Sequence, residues 1–235
     1  MPLPRLRQVA LVAAELAPVS DRLQRDLGLR DPFADPGVSA FGLENAVYAV
    51  GDTFLEVVAP VQEETTAGRY LDKRGGDGGY MAIFQVPDID EARKRVADLG
   101  IRVVWQADLD DIAGTHLHPR DVPGAIVSLD WANPPGSWHW AGPAWTGGQP
   151  EHDTGGITAI TIETPDPERL AQRWADVLGV SAEGPQIELD GGDQRLRFVA
   201  SDGGEGIVAV EATAPGPARR CEVGSATIEI ADIGS

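Results

Sequence analysis

Three segments of the chain repeat one pattern, and this repetition constrains the fold more than any other feature of the sequence. Each segment begins with an alternating apolar stretch and continues with a short polar break, an amphipathic helical pattern and Leu-Gly. The segments cover residues 7–29, 80–101 and 157–180. A unit that recurs at a similar spacing predicts a fold built from duplicated units.

The residue types at the predicted helix ends agree with this pattern. Gly28, Gly100 and Gly179 stand where the C-terminus of a helix favours a residue in the left-handed conformation. Asp88 and Asp166 stand where an N-cap is expected after a strand. We therefore predict a strand followed by a helix in each repeat.

Extended segments follow each helix. The apolar stretches on either side of Gly51-Asp52 predict a hairpin, because this residue pair favours a tight turn. The tail of the chain carries strands with no helix between them, which predicts a fourth, degraded unit. The predicted strands are residues 46–50, 53–58, 102–106, 115–118, 125–131, 186–189, 195–199, 207–212 and 223–230.

A stretch rich in Pro, Gly and Trp divides the chain into two halves. Its residues Trp138, Trp140 and Trp145 could cover a bound ligand or anchor the two halves to each other. Anchoring is favoured, because it buries a large apolar area where the halves meet. The predicted domains are residues 1–132 with units one and two, a linker at 133–153, and residues 154–235 with unit three and the degraded unit four.

The charge of the chain excludes several classes of function. Acidic residues outnumber basic ones by 37 to 19, which gives a formal net charge of −18. Such a polyanion repels nucleic-acid phosphates and anionic membrane surfaces. Cys221 is the only cysteine, so no internal disulfide, Cys-rich zinc site or iron–sulfur cluster can form. No apolar stretch approaches the roughly 18 residues of a membrane span, and we expect a cytoplasmic protein with a small-molecule ligand.

The repeated strand–helix–strand–strand–strand unit resembles the vicinal oxygen chelate superfamily of glyoxalases, bleomycin-resistance proteins and extradiol dioxygenases. The resemblance covers nearly the whole chain and implies an α+β fold. Paired βαβββ units would form curved, cup-like mixed sheets with helices outside, and the cup would hold a metal or a small molecule. The resemblance is also compatible with a homodimer. The motifs that carry it are LRQVALVA, TFLEVVAP, GGYMAIFQVPDID and HLHPRDVPGAIVSLD.

In the metal-using members of the superfamily, four ligands come from the first and last strands of two paired units. The resemblance places Gln8, Glu56, Met81 and Ser128 at these four positions. A thioether and a neutral hydroxyl are poor ligands for a divalent ion. The remaining amide and carboxylate are too few for tight binding, so we expect no tightly held cofactor.

Two histidines offer an alternative metal site. His116 and His118 flank Leu117 in an extended segment, so both side chains are expected on one face of the strand. If that face is the concave one, His118 could complete a divalent-metal site with Gln8 and Glu56. The favoured interpretation is that His118 only caps a surface turn.

Glu56 is the candidate catalytic residue. Phe54 and Val58 share its face of the predicted strand, so the carboxylate lies on an apolar surface. Desolvation raises the pKa of such a group and suits it to act as a general base near neutral pH. The alternative is that Glu56 only accepts hydrogen bonds from Gln8 and a nearby arginine.

Further candidates for ligand binding lie in and around the predicted cup. The segment between the first two units carries a basic cluster of Arg69, Lys73 and Arg74 that could seat a carboxylate or phosphate, although a solvated linker is the commoner outcome. The candidate ligand-binding residues are Arg69, Tyr70, Tyr80, Met81, His116 and Ser128.

Three functions are compatible with these residues. The first is a glyoxalase-like isomerase, lyase or epimerase that uses Glu56 as its base. The second is a non-catalytic binding protein, like the drug-sequestering members of the superfamily. A metal-dependent ring-cleaving dioxygenase ranks last, because the chain lacks two histidines at the expected strand positions. The sequence does not decide between the first two.

Overall fold

The computed structural model describes residues 3–148 and 154–233, and within these ranges the chain forms two sheets and four α-helices. The strands are β1 (Arg5–Val12), β2 (Leu43–Val50), β3 (Thr53–Pro60), β4 (Gly78–Gln85), β5 (Val103–Asp108), β6 (Ile112–Leu117), β7 (Ile126–Ala132), β8 (Gly156–Thr164), β9 (Gln186–Leu189), β10 (Gln194–Ala200), β11 (Gly206–Ala214), β12 (Arg219–Val223) and β13 (Ala226–Asp232). The helices are α1 (Leu16–Leu27), α2 (Thr66–Arg74), α3 (Ile89–Asp98) and α4 (Pro167–Leu178).

The two sheets share one pairing scheme. In the first, with order β2-β3-β1-β4-β7-β6-β5, the central strands β1 and β4 are antiparallel, and each pairs in parallel with the last strand of its own unit. The second sheet, with order β12-β13-β11-β8-β10-β9, repeats this scheme around β8 and β11. No helix separates β11 from β12. The predicted α+β fold of paired βαβββ units with a degraded last unit is confirmed.

The helix ends also follow the sequence prediction. The Asp88 carboxylate accepts hydrogen bonds from the backbone N–H groups of Asp90 and Glu91, both at 2.9 Å. Gly28 and Gly179 adopt the left-handed conformation at the ends of α1 and α4, with φ of 64° and 72°. A residue without a Cβ adopts this conformation at little cost.

Two predictions about local structure are wrong. Residues 223–230 are not one strand, because Gly224 turns with φ of 56° and separates β12 from β13. The segment between the first two units is not a plain linker, because residues 66–74 form α2. The Thr65 hydroxyl caps this helix by accepting from the Gly68 N–H at 2.9 Å.

One apolar core lies between the two sheets. It combines residues of β1, β4 and helices α1 and α3 with residues of β8, β11 and α4. The buried side chain of Gln194, in the second half, bridges the two sheets. Its Oε1 accepts from the Leu6 backbone N–H at 2.7 Å, and its Nε2 donates to the backbone oxygens of Leu6 and Ile157, each at 2.8 Å. The first strands of the two halves are therefore joined through one buried side chain.

The opposite face of the second sheet is polar. Exposed ion pairs join Arg220 to Glu229 at 2.9 Å and Arg195 to Glu188 at 3.0 Å. Pairs of this kind contribute about 0–1 kcal/mol each. The register aligns Arg220, Glu229, Glu211, Ala159, Arg195 and Glu188 across the six strands.

The tryptophans after β7 do not anchor the two halves, which corrects the sequence prediction. Trp138 and Trp145 are buried in a second apolar cluster on the concave face of the first sheet, and this cluster contains no residue of the second half among those described. Phe54 stacks on Trp138 with ring centroids 6.3 Å apart and meets Trp145 edge-on at 4.7 Å. The segment closes one end of the first cup.

The predicted domain boundaries stay a prediction. Residues 149–153 of the proposed linker and 234–235 at the end of the second half lie outside the described residues. Among the described helices, none combines the length and the apolar character that crossing a membrane requires.

Candidate functional site

A cavity of about 840 Å³ occupies the concave side of the first sheet. Its walls come from the central strands, the edge strands, α2 and the segment after β7. The residues that line it include Gln8, Phe41, Glu56, Arg69, Tyr80, Met81, Trp105, His116, His118, Arg120, Asp130 and Trp140.

The register places the four expected ligand positions in equivalent pairs. Glu56 lies beside Ala10, two residues after Gln8 on β1. Ser128 lies beside Ile83, two residues after Met81 on β4. The antiparallel pairing of β1 with β4 relates these two arrangements by an approximate two-fold axis. The assignment of Gln8, Glu56, Met81 and Ser128 to corresponding positions therefore agrees with the strand pairing.

Two side-chain amides hold the Glu56 carboxylate. Gln8 Nε2 donates to Glu56 Oε2 at 2.8 Å, and Asn45 Nδ2 donates to Glu56 Oε1 at 2.6 Å. The Trp138 indole N–H donates to Gln8 Oε1 at 2.6 Å, and the Asp35 backbone N–H donates to Asn45 Oδ1 at 2.8 Å. The side chains of Gln8, Asn45 and Trp138 and the Asp35 backbone N–H form one hydrogen-bonded network around the carboxylate.

The orientation of both amides follows from these partners. An indole N–H and a peptide N–H can only donate a hydrogen bond. Trp138 therefore requires the oxygen of Gln8, and Asp35 requires the oxygen of Asn45. The NH₂ groups of Gln8 and Asn45 consequently face Glu56.

Opposing effects set the pKa of Glu56. Burial raises it, because the charged form is desolvated, and the nearby Asp35 adds to this shift. The hydrogen bonds from Asn45 and Gln8 lower it, since they stabilise the carboxylate. Burial prevails, and the pKa of Glu56 lies above its ordinary value.

The expected ligand positions do not fit a divalent ion. Gln8 turns its nitrogen, not its oxygen, towards Glu56, Met81 offers only a thioether, and the Ser128 hydroxyl donates to Asp130. Hard and borderline ions prefer oxygen and imidazole ligands. Across the part of the chain that the structure describes, no group of three or more His, Cys, Asp or Glu side chains is arranged to hold a metal.

The two histidines have different surroundings. Nδ1 of His118 accepts from the Arg120 backbone N–H at 3.1 Å, in a turn after β6 ends at Leu117. His118 thus caps a turn and also lines the cavity mouth. His116 lies on β6 and packs against Trp105, with ring centroids 4.3 Å apart.

Asp130 is a second buried carboxylate of the cavity wall, and the sequence reasoning missed it. The Trp140 indole N–H donates to its Oδ2 at 2.7 Å, and the Ser128 hydroxyl donates to its Oδ1. Burial raises the pKa of Asp130 to about 7, against the hydrogen bonds from Ser128 and Trp140 and the charge of Arg93. The alternation of residues along β7 puts Ser128 and Asp130 on one face, but the hydrogen bond from Trp140 that marks Asp130 is formed only in the fold.

Tyr80 is turned into the cavity by an irregularity of β4. The pairing of β1 with β4 shifts between Ala10 and Leu11, so that Tyr80 and Met81 both line the cavity although they are neighbours in sequence. The Tyr80 ring meets Tyr70 edge-on at 5.0 Å. Burial, the neighbouring Tyr70 and the charge of Glu56 raise the pKa of the Tyr80 phenol, which therefore stays protonated.

The remaining predicted ligand-binding residues are not equivalent. Arg69 lines the cavity, where its guanidinium donates to the Glu64 backbone oxygen and to the Thr66 hydroxyl. Tyr70 lies behind Tyr80, and Ser128 is fully buried behind Asp130. Arg74 of the predicted basic cluster points away from the cavity and binds the second half, with Nε 2.9 Å from the Ser225 hydroxyl.

The sequence of this chain matches a known family. The sequence model of the glyoxalase-like domain matches residues 9–178. A curated relative, ethylmalonyl-CoA/methylmalonyl-CoA epimerase from Cereibacter sphaeroides, is 26% identical over 136 residues, which cover 54% of this chain and 96% of the relative.

Two solved structures share the fold. A variant of Streptomyces coelicolor methylmalonyl-CoA epimerase in complex with 2-nitronate-propionyl-CoA aligns with a TM-score of 0.50 and 21% identity, over 55% of this chain and 98% of that one. A variant of 4-hydroxymandelate synthase from Streptomyces coelicolor aligns with a TM-score of 0.68 and 19% identity, over 92% of this chain and 72% of that one. The second alignment extends over both sheets.

Proposed function

The chain belongs to the glyoxalase-like domain family of the vicinal oxygen chelate superfamily, and from this premise we propose that it abstracts a proton next to the carbonyl group of a small ligand held in the first cup. Glu56 is the base. The reaction is an isomerisation or epimerisation, as in the epimerases to which the chain is similar.

The observation that carries this proposal is the state of Glu56. Its carboxylate is buried in the wall of the cavity, and the two amide groups that touch it are both oriented to donate. The donors stabilise its ionised form, while burial raises its proton affinity. A general base at neutral pH needs both properties.

Tyr80 supplies the second group that the reaction needs. When Glu56 takes the proton from carbon, the electron pair of the C–H bond becomes a carbon–carbon π bond, and the π pair of the carbonyl group moves to its oxygen and forms an enolate. A phenol that stays protonated in the same cavity can donate a hydrogen bond to that oxygen. If the planar enolate turns its other face towards Glu56 before the proton returns, the configuration of the carbon is inverted, and return of the proton to another carbon gives an isomer.

We further propose that this chemistry proceeds without a metal cofactor. The donor set described above supports this, because the superfamily positions supply one carboxylate and no imidazole. In this proposal the hydrogen bond from Tyr80 takes the place of a Lewis acid at the carbonyl oxygen.

A non-catalytic binding protein is the second candidate. The observation that favours it is that both oxygens of Glu56 already accept a hydrogen bond. A carboxylate held in this way can form a fixed polar surface of a binding pocket as readily as it can act as a base.

Hydrogen–deuterium exchange separates the two candidates. The wild type and Glu56→Gln are incubated in D₂O with methylmalonyl-CoA and with 4-phenylbutan-2-one, and loss of the proton signal next to the carbonyl is followed by NMR. We expect exchange by the wild type, and a loss of about 10²–10⁴-fold in Glu56→Gln because general-base catalysis contributes that much. Binding of a probe without exchange by the wild type contradicts the catalytic proposal and favours the binding protein.

A further inference from the structure

We infer that the ligand of this cavity is a small aromatic carbonyl compound, neutral or singly charged, and not a polyanionic CoA thioester. The carbonyl part of this inference rests on the proposed function. The aromatic part and the charge rest on the walls and the rim of the cavity, which can be tested without any catalysis.

Aromatic rings from both edges of the sheet meet above the cavity. Trp105 of β5 packs against His116 of β6, and Phe41, which precedes β2 at the other edge, contacts Trp105 with ring centroids 5.7 Å apart. Trp140 follows at 6.2 Å from Trp105. The four rings form a continuous surface, here called the aromatic wall, and all four side chains line the cavity.

An irregularity of β5 orients Trp105 of the aromatic wall towards the cavity. The pairing of β5 with β6 shifts between Val103 and Trp105, so that Val104 and Trp105 both face the cavity. A bulge re-aims side chains at a sheet edge in this way. Trp105 is half-buried and lines the cavity, so part of its surface stays accessible.

The aromatic wall carries no charge at neutral pH. Burial lowers the pKa of His116 to about 4, so its imidazole is neutral and offers a flat polarisable surface, not a cation. Aromatic pairs gain about 0.5–1.5 kcal/mol beyond the area that they bury. The wall therefore favours a flat ring over an aliphatic group of equal size.

The charges of the cavity lining disfavour a polyphosphate tail. Four carboxylate side chains line it, against Arg69 and Arg120. The Arg69 guanidinium is already bonded to Glu64 O and Thr66 Oγ1. Arg120 is exposed at the rim, and the chain as a whole carries a net charge of −18. One arginine at the rim matches a single carboxylate, whereas the phosphates of CoA require several cations.

The size of the cavity agrees with this ligand class. Its volume of about 840 Å³ lies in the range of roughly 300–1,000 Å³ that is usual for drug-sized ligands. A phenyl ring against the aromatic wall leaves volume for a short carbonyl-bearing chain in the cavity that Glu56 and Tyr80 also line.

Calorimetric titration tests the inference with two probes matched in size. The probes are 4-phenylbutan-2-one and 4-cyclohexylbutan-2-one, with methylmalonyl-CoA as the thioester. The titrations use Glu56→Gln as well as the wild type, so that a failure of catalysis does not affect the binding result. Trp105→Leu removes the ring and Trp105→Phe retains one, and thermal unfolding verifies that both variants are folded.

We expect the phenyl ketone to bind several-fold more tightly than the cyclohexyl ketone, about 2- to 10-fold for ring contacts of this kind. The preference is lost in Trp105→Leu and kept in Trp105→Phe, and methylmalonyl-CoA binds more weakly than either ketone. Equal affinity for the two ketones, a preference that survives Trp105→Leu, tighter binding of the thioester, or no binding of either ketone overturns the inference. A confirmed preference without proton exchange leaves this inference standing and contradicts only the catalytic proposal.

Discussion

Trp138 determines which way Gln8 faces, although 130 positions separate the two residues in the sequence. Its indole N–H fixes the Gln8 oxygen, and the Gln8 nitrogen then fixes Glu56. A single donor outside the sheet thereby sets the orientation of Gln8, while the Asp35 backbone N–H sets that of Asn45. The contact between Trp138 and Gln8 gave no signal in the sequence.

Replacing Trp138 with Phe tests that role. The variant leaves the buried Gln8 oxygen without a donor, and we expect it to lower the free energy of unfolding by about 1–3 kcal/mol more than its control. The control is Trp145→Phe, which shortens another ring of the same cluster that touches Phe54. Chemical denaturation measures the free energy of unfolding of both variants. Equal losses would mean that the hydrogen bond to Gln8 contributes no stability beyond the packing of the ring.

The metal prediction also belongs to single residues. Protein purified without added metal is expected to carry less than one divalent ion per chain by mass spectrometry, because Met81 and Ser128 supply neither an imidazole nor a carboxylate. Losing two such ligands removes several kcal/mol of the roughly 10–16 that a full structural zinc site provides. Near-stoichiometric metal that is lost in both Glu56→Ala and His118→Ala contradicts this and revives the His118 site.

Asp130 gives the stability a specific pH dependence. Its pKa is about 7 in the folded protein and 3.8 in its ordinary state, so the folded state holds the proton more tightly. The stabilisation from this group is present below about pH 4 and is lost as the pH rises to about 7.

Denaturation at pH 5, 6 and 7 checks this expectation against Asp130→Asn, which retains an acceptor for Trp140. Over this range the wild type is expected to lose up to about 1.4 kcal/mol per pH unit relative to the variant. Parallel pH profiles of the two proteins would show that Asp130 ionises normally.

At the scale of elements, the repeated pattern predicted most strands and three of the helices. Periodicity and end residues sufficed for the three helices, because each buries one face and is followed by a glycine in the left-handed conformation. Helix α2 was missed, since Gly68 interrupts its pattern and only Thr65 marks its start. Asp130 was missed for another reason: its role depends on the pairing of β7 with β6 and on Trp140, and neither is visible in a single strand.

The capping of helices offers a direct test at this scale. Asp88→Ala removes a carboxylate that accepts two backbone N–H groups, and we expect a loss of about 0.5–2 kcal/mol in stability. Glu15 occupies the N-cap of α1 without any side-chain hydrogen bond to the helix. Glu15→Ala is therefore the control and should change stability little; comparable losses would show that α3 does not depend on its cap.

At the scale of the whole molecule, the two sheets touch at Gly79 of β4. A Cβ at this position would lie 2.5 Å from both Cβ and O of Ile207 on β11. We expect Gly79→Ala to cost about 1–3 kcal/mol through overpacking between the sheets. In Gly203→Ala the nearest atom lies 3.7 Å from the added Cβ, which makes this variant the control in the same denaturation experiment. Equal stability of the two variants would mean that the sheets separate easily.

Gln194 and the ion pairs on the open face put the two sides of the second sheet under different constraints. Towards the first half, each side chain must keep its volume or its hydrogen bonds, because β1 and therefore Gln8 rest against it. On the open face, a substitution at an exposed charged position such as Arg195 or Glu229 changes stability by about 0.5 kcal/mol or less. Mutational tolerance along β10 therefore alternates with a period of two. Sequence drift in this half accumulates on one face, while the other face preserves the shape of a pocket to which no described residue of the second half contributes a side chain.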